Sequence, residues 1–171
     1  ALAETDAATA RTHGTFYKIL LGAQRLQRIT EALRLVLSYT AQLAADNLDS
    51  SEKFSVGGPT GVRAYPSGEA AGDDVHFLQA ELRYTGGSWL GGQLAPLAFV
   101  EYARSRINHR TWEGFTGNNI RTLSGFGVGV EWSLLGQFFA RGWYAHKLGQ
   151  EAATADTDKD SRIWLQAGVL F

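Results

Sequence analysis

Leu33-Arg-Leu-Val-Leu-Ser-Tyr-Thr-Ala-Gln-Leu43 decides the fold. Leu33, Leu35, Leu37, Tyr39, Ala41 and Leu43 alternate with Arg34, Val36, Ser38, Thr40 and Gln42. A helix would spread these leucines over all its sides, whereas an extended chain gathers them on one face. Strands of globular proteins run to about five or six residues, and a tilted membrane-spanning strand needs about ten. The run predicts a strand of the second kind.

Working outward, the same period of two recurs. Strands are expected over about 15–28, 32–44, 75–85, 93–107, 121–133, 138–148 and 162–171. In each, one face is mostly apolar, as in Ile163, Leu165, Ala167 and Val169, while the other carries Arg, Glu, Gln or Gly. Residues 1–13 read as polar loop and 85–92 as a glycine-rich turn. Short and long connections take turns along the chain, the long ones at 45–74, 108–120 and 149–161. Apolar outside, polar inside, short turns at one rim and long loops at the other describe an all-β, antiparallel transmembrane β-barrel of the outer membrane. Tyr39, Tyr84, Trp132 and Tyr144 near strand ends suit an aromatic girdle. A soluble sandwich also alternates, but with shorter strands. Single-chain barrels have even strand numbers, so seven strands imply partners outside the sequence, and the chain is expected to be a fragment.

Composition narrows the classes. With 171 residues and net charge −1, nothing marks a nucleic-acid surface. The absence of cysteine excludes disulfides and thiolate metal sites. His13, His76, His109 and His146 are scattered without metal spacing. Asp156-Thr-Asp-Lys-Asp160 lacks the glycine and closing glutamate of a calcium loop and reads as solvated. Gly125, Gly127 and Gly129 lack the strand-to-helix context of a phosphate cradle; as inward positions they make room for a packed loop. No nucleophile elbow stands out, so neither a catalytic residue, a metal nor a cofactor is expected.

One loop breaks the pattern. Phe54-Ser-Val-Gly-Gly-Pro-Thr-Gly-Val-Arg-Ala-Tyr-Pro66 cannot be a regular helix or inner strand, yet carries four large apolar side chains around a single cation, Arg63. Such a loop is expected to fold inward. A cation there needs an inward carboxylate. Glu101, beside Phe99, is the favoured partner, with Glu81 and Glu131 as rivals.

This loop resembles that of the outer-membrane transporters of two-partner secretion, the haemolysin secretion/activation proteins. Their Val-Arg-Gly-Tyr/Phe motif reads here Val62, Arg63, Ala64, Tyr65, with alanine for the usual glycine, which makes a positive φ costlier. Their Phe-x-Asp strand motif reads Phe99-Val100-Glu101. Leu123-Ser-Gly-Phe-Gly-Val-Gly129 and the terminal Phe171 also look similar, and the resemblance covers roughly residues 15–171. It implies the last seven strands of a barrel of about sixteen, preceded by POTRA domains and earlier strands. It further implies a location in the Gram-negative outer membrane and export of a large haemolysin or adhesin. Membrane lipid would lie on the outer face, and the barrel-assembly machinery would read Phe171, Val169 and Leu165. A barrel-assembly factor of the same superfamily and a plain porin or adhesin barrel are the other readings. An outer-membrane hydrolase has no motif behind it.

Overall fold

The structure, a computed structural model, describes residues 2–134 and 138–169. Its elements are a short helix α1 (Leu2–Ala8) and strands β1 (Lys18–Arg28), β2 (Leu33–Ala44), β3 (Asp74–Tyr84), β4 (Gly87–Trp89), β5 (Gly92–Arg106), β6 (Ile120–Leu134), β7 (Phe138–Lys147) and β8 (Ser161–Val169). The sheet runs β1-β2-β3-β5-β6-β7-β8, each strand antiparallel to the next, and β4 also pairs with β5. β1 and β8 are the two edges.

The outer face is the apolar one. Ile19, Leu21, Leu78, Val100, Val128 and Ile163 all stand exposed on it. A continuous exposed apolar sheet face requires a non-aqueous neighbour. The inner face is covered by the segment between β2 and β3. There Val56, Val62, Ala64 and Tyr65 pack with Val75, Phe77, Phe99, Leu123, Trp143 and Ala145 into the hydrophobic core. The core is thus made of strand side chains on one side and an irregular loop on the other.

Three stretches differ from expectation. Residues 1–13 contain a helix rather than loop alone, since Ala-rich sequence has high helix propensity. Arg11, at φ 55°, then turns the chain back, and Asp6 accepts hydrogen bonds from the Thr12 and His13 backbone. The glycine-rich stretch 85–92 contains β4, giving eight strands among the described residues rather than seven. Arg83 faces Leu97 but Gly87 faces Leu94, so one extra residue is bulged out between β3 and β4. Pro96, which has no N–H to give a ladder, sits opposite that break. The true turn is only Leu90-Gly91, both at positive φ as a two-residue primed hairpin turn requires. Finally, β1 starts at Lys18 rather than 15, because its partner strand β2 leaves the ladder at Ala44.

Candidate functional site

The loop between β2 and β3 is pinned at its base. Buried Asp73 accepts from the backbone N–H of Leu48 and of His109, and pairs with Lys53 at 3.0 Å. Gln42 on β2 donates to the carbonyls of Gly72 and Asp73. An isolated bridge joins Phe54 to Gly72. Higher up, Val62 N donates to Val56 O at 2.7 Å, Tyr65 N to Val62 O, and Gly58 N to Tyr65 O. The prolines and glycines therefore shape a compact hairpin whose backbone is satisfied from within.

Arg63 projects from this hairpin into the wall and is only 3% exposed. Its Nε lies 2.7 Å from Glu101 Oε1 and its own backbone N donates to Glu101 Oε2 at 2.8 Å. Its NH2 group donates to Glu81 Oε2 at 2.9 Å. Glu81 and Glu131 both stand on the inner face, but only Glu81 reaches Arg63. Glu81 shares Arg63 with Glu101, whereas Glu131 pairs instead with Arg83 at 3.2 Å and faces Arg141 at 3.8 Å. The reason is position: Glu101 and Glu81 lie on neighbouring strands β5 and β3, across from Gln79 and Phe99 in the ladder, and Glu131 lies further along β6, opposite Ala95. Gln79 also donates to Glu101, and Arg83 to Glu81. The guanidinium carbon sits 3.5 Å from the Phe99 ring centroid, with Trp143 at 5.6 Å. A buried charge is tolerated when it is paired, hydrogen-bonded and stacked in this way.

Ala64 takes no positive φ, so the substitution for glycine brings no backbone strain. Its methyl is accommodated by Gly125 on β6, where an added Cβ would come 2.8 Å from that of Ala64. Gly127 makes room for the Phe99 ring rather than for the loop. Tyr65 is fully buried, its hydroxyl donating to Glu151 O and its ring lying 4.6 Å from Lys147 Nζ. Burial first, and the nearby Glu151 charge second, push that hydroxyl up to about 12.

Further residues complete the site. Trp164 on β8 donates its Nε1–H to the Arg63 carbonyl at 2.7 Å. A tryptophan at an inward position, between Arg162 and Gln166, was the available signal. Glu69, fully buried, accepts from Thr154 N, Thr154 Oγ1 and Ala155 N at 2.8–2.9 Å and pairs with Arg121 at 3.0 Å. Burial pushes its carboxyl up, but these hydrogen bonds and Arg121 outweigh that and hold it below the usual range. The segment between β7 and β8 is in this way tied down over the hairpin. Its acidic run is engaged internally, with Asp158 on Lys147 and Asp156 on Arg162. Among the described residues no group of histidines and carboxylates could hold a metal. Leu165 and Val169 stand exposed on the outer face of β8. Phe171 lies outside the described residues.

The family model described as "Haemolysin secretion/activation protein ShlB/FhaC/HecB" matches residues 2–132. The chain belongs to this family. It is 24% identical over 157 residues to the heme/hemopexin transporter protein HuxB of Haemophilus influenzae, covering 91% of this chain and 27% of that protein. Its fold is similar to that of CdiB from Escherichia coli, with a TM-score of 0.73, 19% identity, and coverage of 92% of this chain and 30% of the other. The chain thus spans under a third of the length of these relatives. The family assignment rests on the wall and the loop together, since the matched residues run from α1 through the hairpin into β6.

Proposed function

We propose that this chain forms a wall sector and the inward-folded loop of an outer-membrane pore that exports a large haemolysin- or adhesin-type exoprotein. Family membership and the CdiB-like fold support that activity for the whole transporter. The observation that carries the reading is Arg63, a buried cation on a loop, answered by carboxylates of two different wall strands. Val62, Arg63, Ala64 and Tyr65 form the loop tip, and Glu101 with Phe99 and Glu81 forms its receptor. The pair holds the hairpin inside the barrel and so sets the state of the lumen from which export starts. Transport of this kind makes and breaks no covalent bond, so no residue is assigned a catalytic role.

Membrane lipid would cover the exposed apolar face, since a barrel wall needs such a neighbour. Strands from outside this chain would pair with the free edges of β1 and β8, because unpaired backbone groups in lipid cost several kcal/mol each. Leu165, Val169 and Phe171 would form the signal read by the assembly machinery. The test is an export assay on full-length transporter carrying Arg63→Ala. Cargo export is expected to fall to background while the barrel still inserts and other outer-membrane barrels assemble normally. Unchanged export would reject the role of Arg63, and defective assembly of other barrels would favour an assembly factor instead.

A further inference from the structure

The outer face changes character near the end of the sheet that carries the long loops. Along β5 the exposed side chains run Ala98, Val100, Tyr102, Arg104, Arg106. Cross-strand register sets Leu78 beside Tyr102, His76 beside Arg104, and Asp74 beside Arg106. Apolar positions thus give way to tyrosines, Tyr39 and Tyr102, and then, about 7 Å further along the strand, to a basic row. This is the order of a lipid-facing wall crossing from acyl chains through an aromatic girdle to headgroups.

The basic row is only partly matched by a protein acid, Asp74. Arg106 is partly answered by Asp74 at 3.5 Å, and the same Asp74 oxygen takes His109 Nδ1 at 2.8 Å. His76 is engaged by the Tyr39 hydroxyl at 2.7 Å. Arg104 is exposed and has no ion pair or hydrogen bond among the described residues. Between these side chains lies a cleft of about 310 Å³, lined by Arg104, Arg106, His76 and His109, by the Asp74 carboxylate, and by Leu43 and Ile120. That is about ten times the volume of a water molecule, room for a phosphate group with part of its carrier.

An unpaired guanidinium at headgroup depth is well placed to take an anion. Phosphate matches the planar donor fork of arginine in two-point hydrogen bonding. Leu43, Ile120 and the tyrosine row below would take the chains of the molecule that bears it. We infer that the cleft between β3 and β5 binds the phosphate of a phosphorylated lipid in the outward-facing leaflet, with Arg104 as its main ligand and Arg106 as the second. This rests on the proposed membrane-barrel reading. It assigns the outer face a specific ligand, on the opposite side of the sheet from the Arg63 site.

Native mass spectrometry of detergent-purified full-length transporter tests it, with diphosphoryl lipid A, its dephosphorylated form and inorganic phosphate as probes. The diphosphoryl lipid is expected to stay bound, the dephosphorylated lipid to bind about tenfold less, and inorganic phosphate not to displace the lipid. Arg104→Ala/Arg106→Ala should lose about tenfold in lipid retention, and Arg110→Ala, outside the cleft, should lose none. If the double variant fails to fold, Arg104→Gln gives the same comparison. Equal retention by the cleft variants and wild type would overturn the site, and displacement by inorganic phosphate would show a free-anion site instead. Incorporation into lipid vesicles separates the two levels. A transporter that incorporates but ignores the phosphate refutes only this site, whereas one that does not incorporate refutes the barrel reading beneath it.

Discussion

The side-chain Nε and the backbone N–H of Arg63 both donate to the carboxylate of Glu101, at 2.7 and 2.8 Å, so one acid fixes both the charge and the chain direction of the loop tip. Glu81 then takes the other end of the guanidinium. The arrangement needs a planar fork. Lysine has one compact charge and cannot reach two acids while stacking on Phe99. Arg63→Lys in the full-length transporter is therefore expected to behave nearly as badly as Arg63→Ala in export, measured as cargo in the medium. Export near wild type would mean that charge alone suffices.

The two acids are not equivalent. Glu101 serves Arg63 twice and takes Gln79, whereas Glu81 also has Arg83. Breaking a buried pair costs roughly 3–5 kcal/mol, because the remaining charge is left uncompensated. Glu101→Gln should lower the thermal unfolding midpoint of the purified transporter clearly more than Glu81→Gln, as read by heat-dependent gel mobility. The reverse order would show that the β3 acid is the principal anchor.

Ala64 and Gly125 are complementary. A methyl on Gly125 would come 2.8 Å from the Ala64 Cβ and 3.1 Å from the His146 carbonyl. Gly125→Ala should destabilise by about 1–3 kcal/mol through overpacking. Ala64→Gly in the same molecule should recover most of that loss, since it removes the closer contact. A double variant no better than the single one would place the strain at His146.

Acid should loosen the outer tie. The folded-state pKa of Glu69 is depressed, so its contribution is present above the ordinary carboxylate range, about 4.3, and is lost as pH falls through the lower folded value. The amides of Thr154 and Ala155 donate directly to it. Their hydrogen exchange, corrected for intrinsic rates, should be slow at neutral pH and speed up in acid. Glu69→Gln should show the faster exchange already at neutral pH. Protection unaffected by this substitution would remove Glu69 as the cause.

Much of the wall was legible because a period of two survives wherever one face is apolar, as in β2 and β8. Glycine at 86 and 87 hid β4, since it carries no side chain to show a face. Arg63 could be read as needing an inward acid from its apolar neighbours alone, but not that it takes two. That choice depends on the ladder register of β3 against β5, which sets Glu81 opposite Phe99 and Glu101 opposite Gln79. The Glu69–Arg121 pair and the Trp164 bond were illegible for a similar reason. Each joins segments brought together only when the hairpin lies on the sheet.

On the proposed reading the loop tip lies inside the wall and is kept there by Arg63. The chain contains no cysteine, and Val62 is fully buried beside Arg63. Val62→Cys in an otherwise cysteine-free full-length transporter gives a thiol whose labelling by a membrane-impermeant maleimide reports the loop's position. The thiol is expected to resist labelling with Arg63 intact and to label readily once Arg63→Ala is added. Ready labelling with Arg63 intact, or continued resistance after its removal, would show that Arg63 does not hold the loop in the wall.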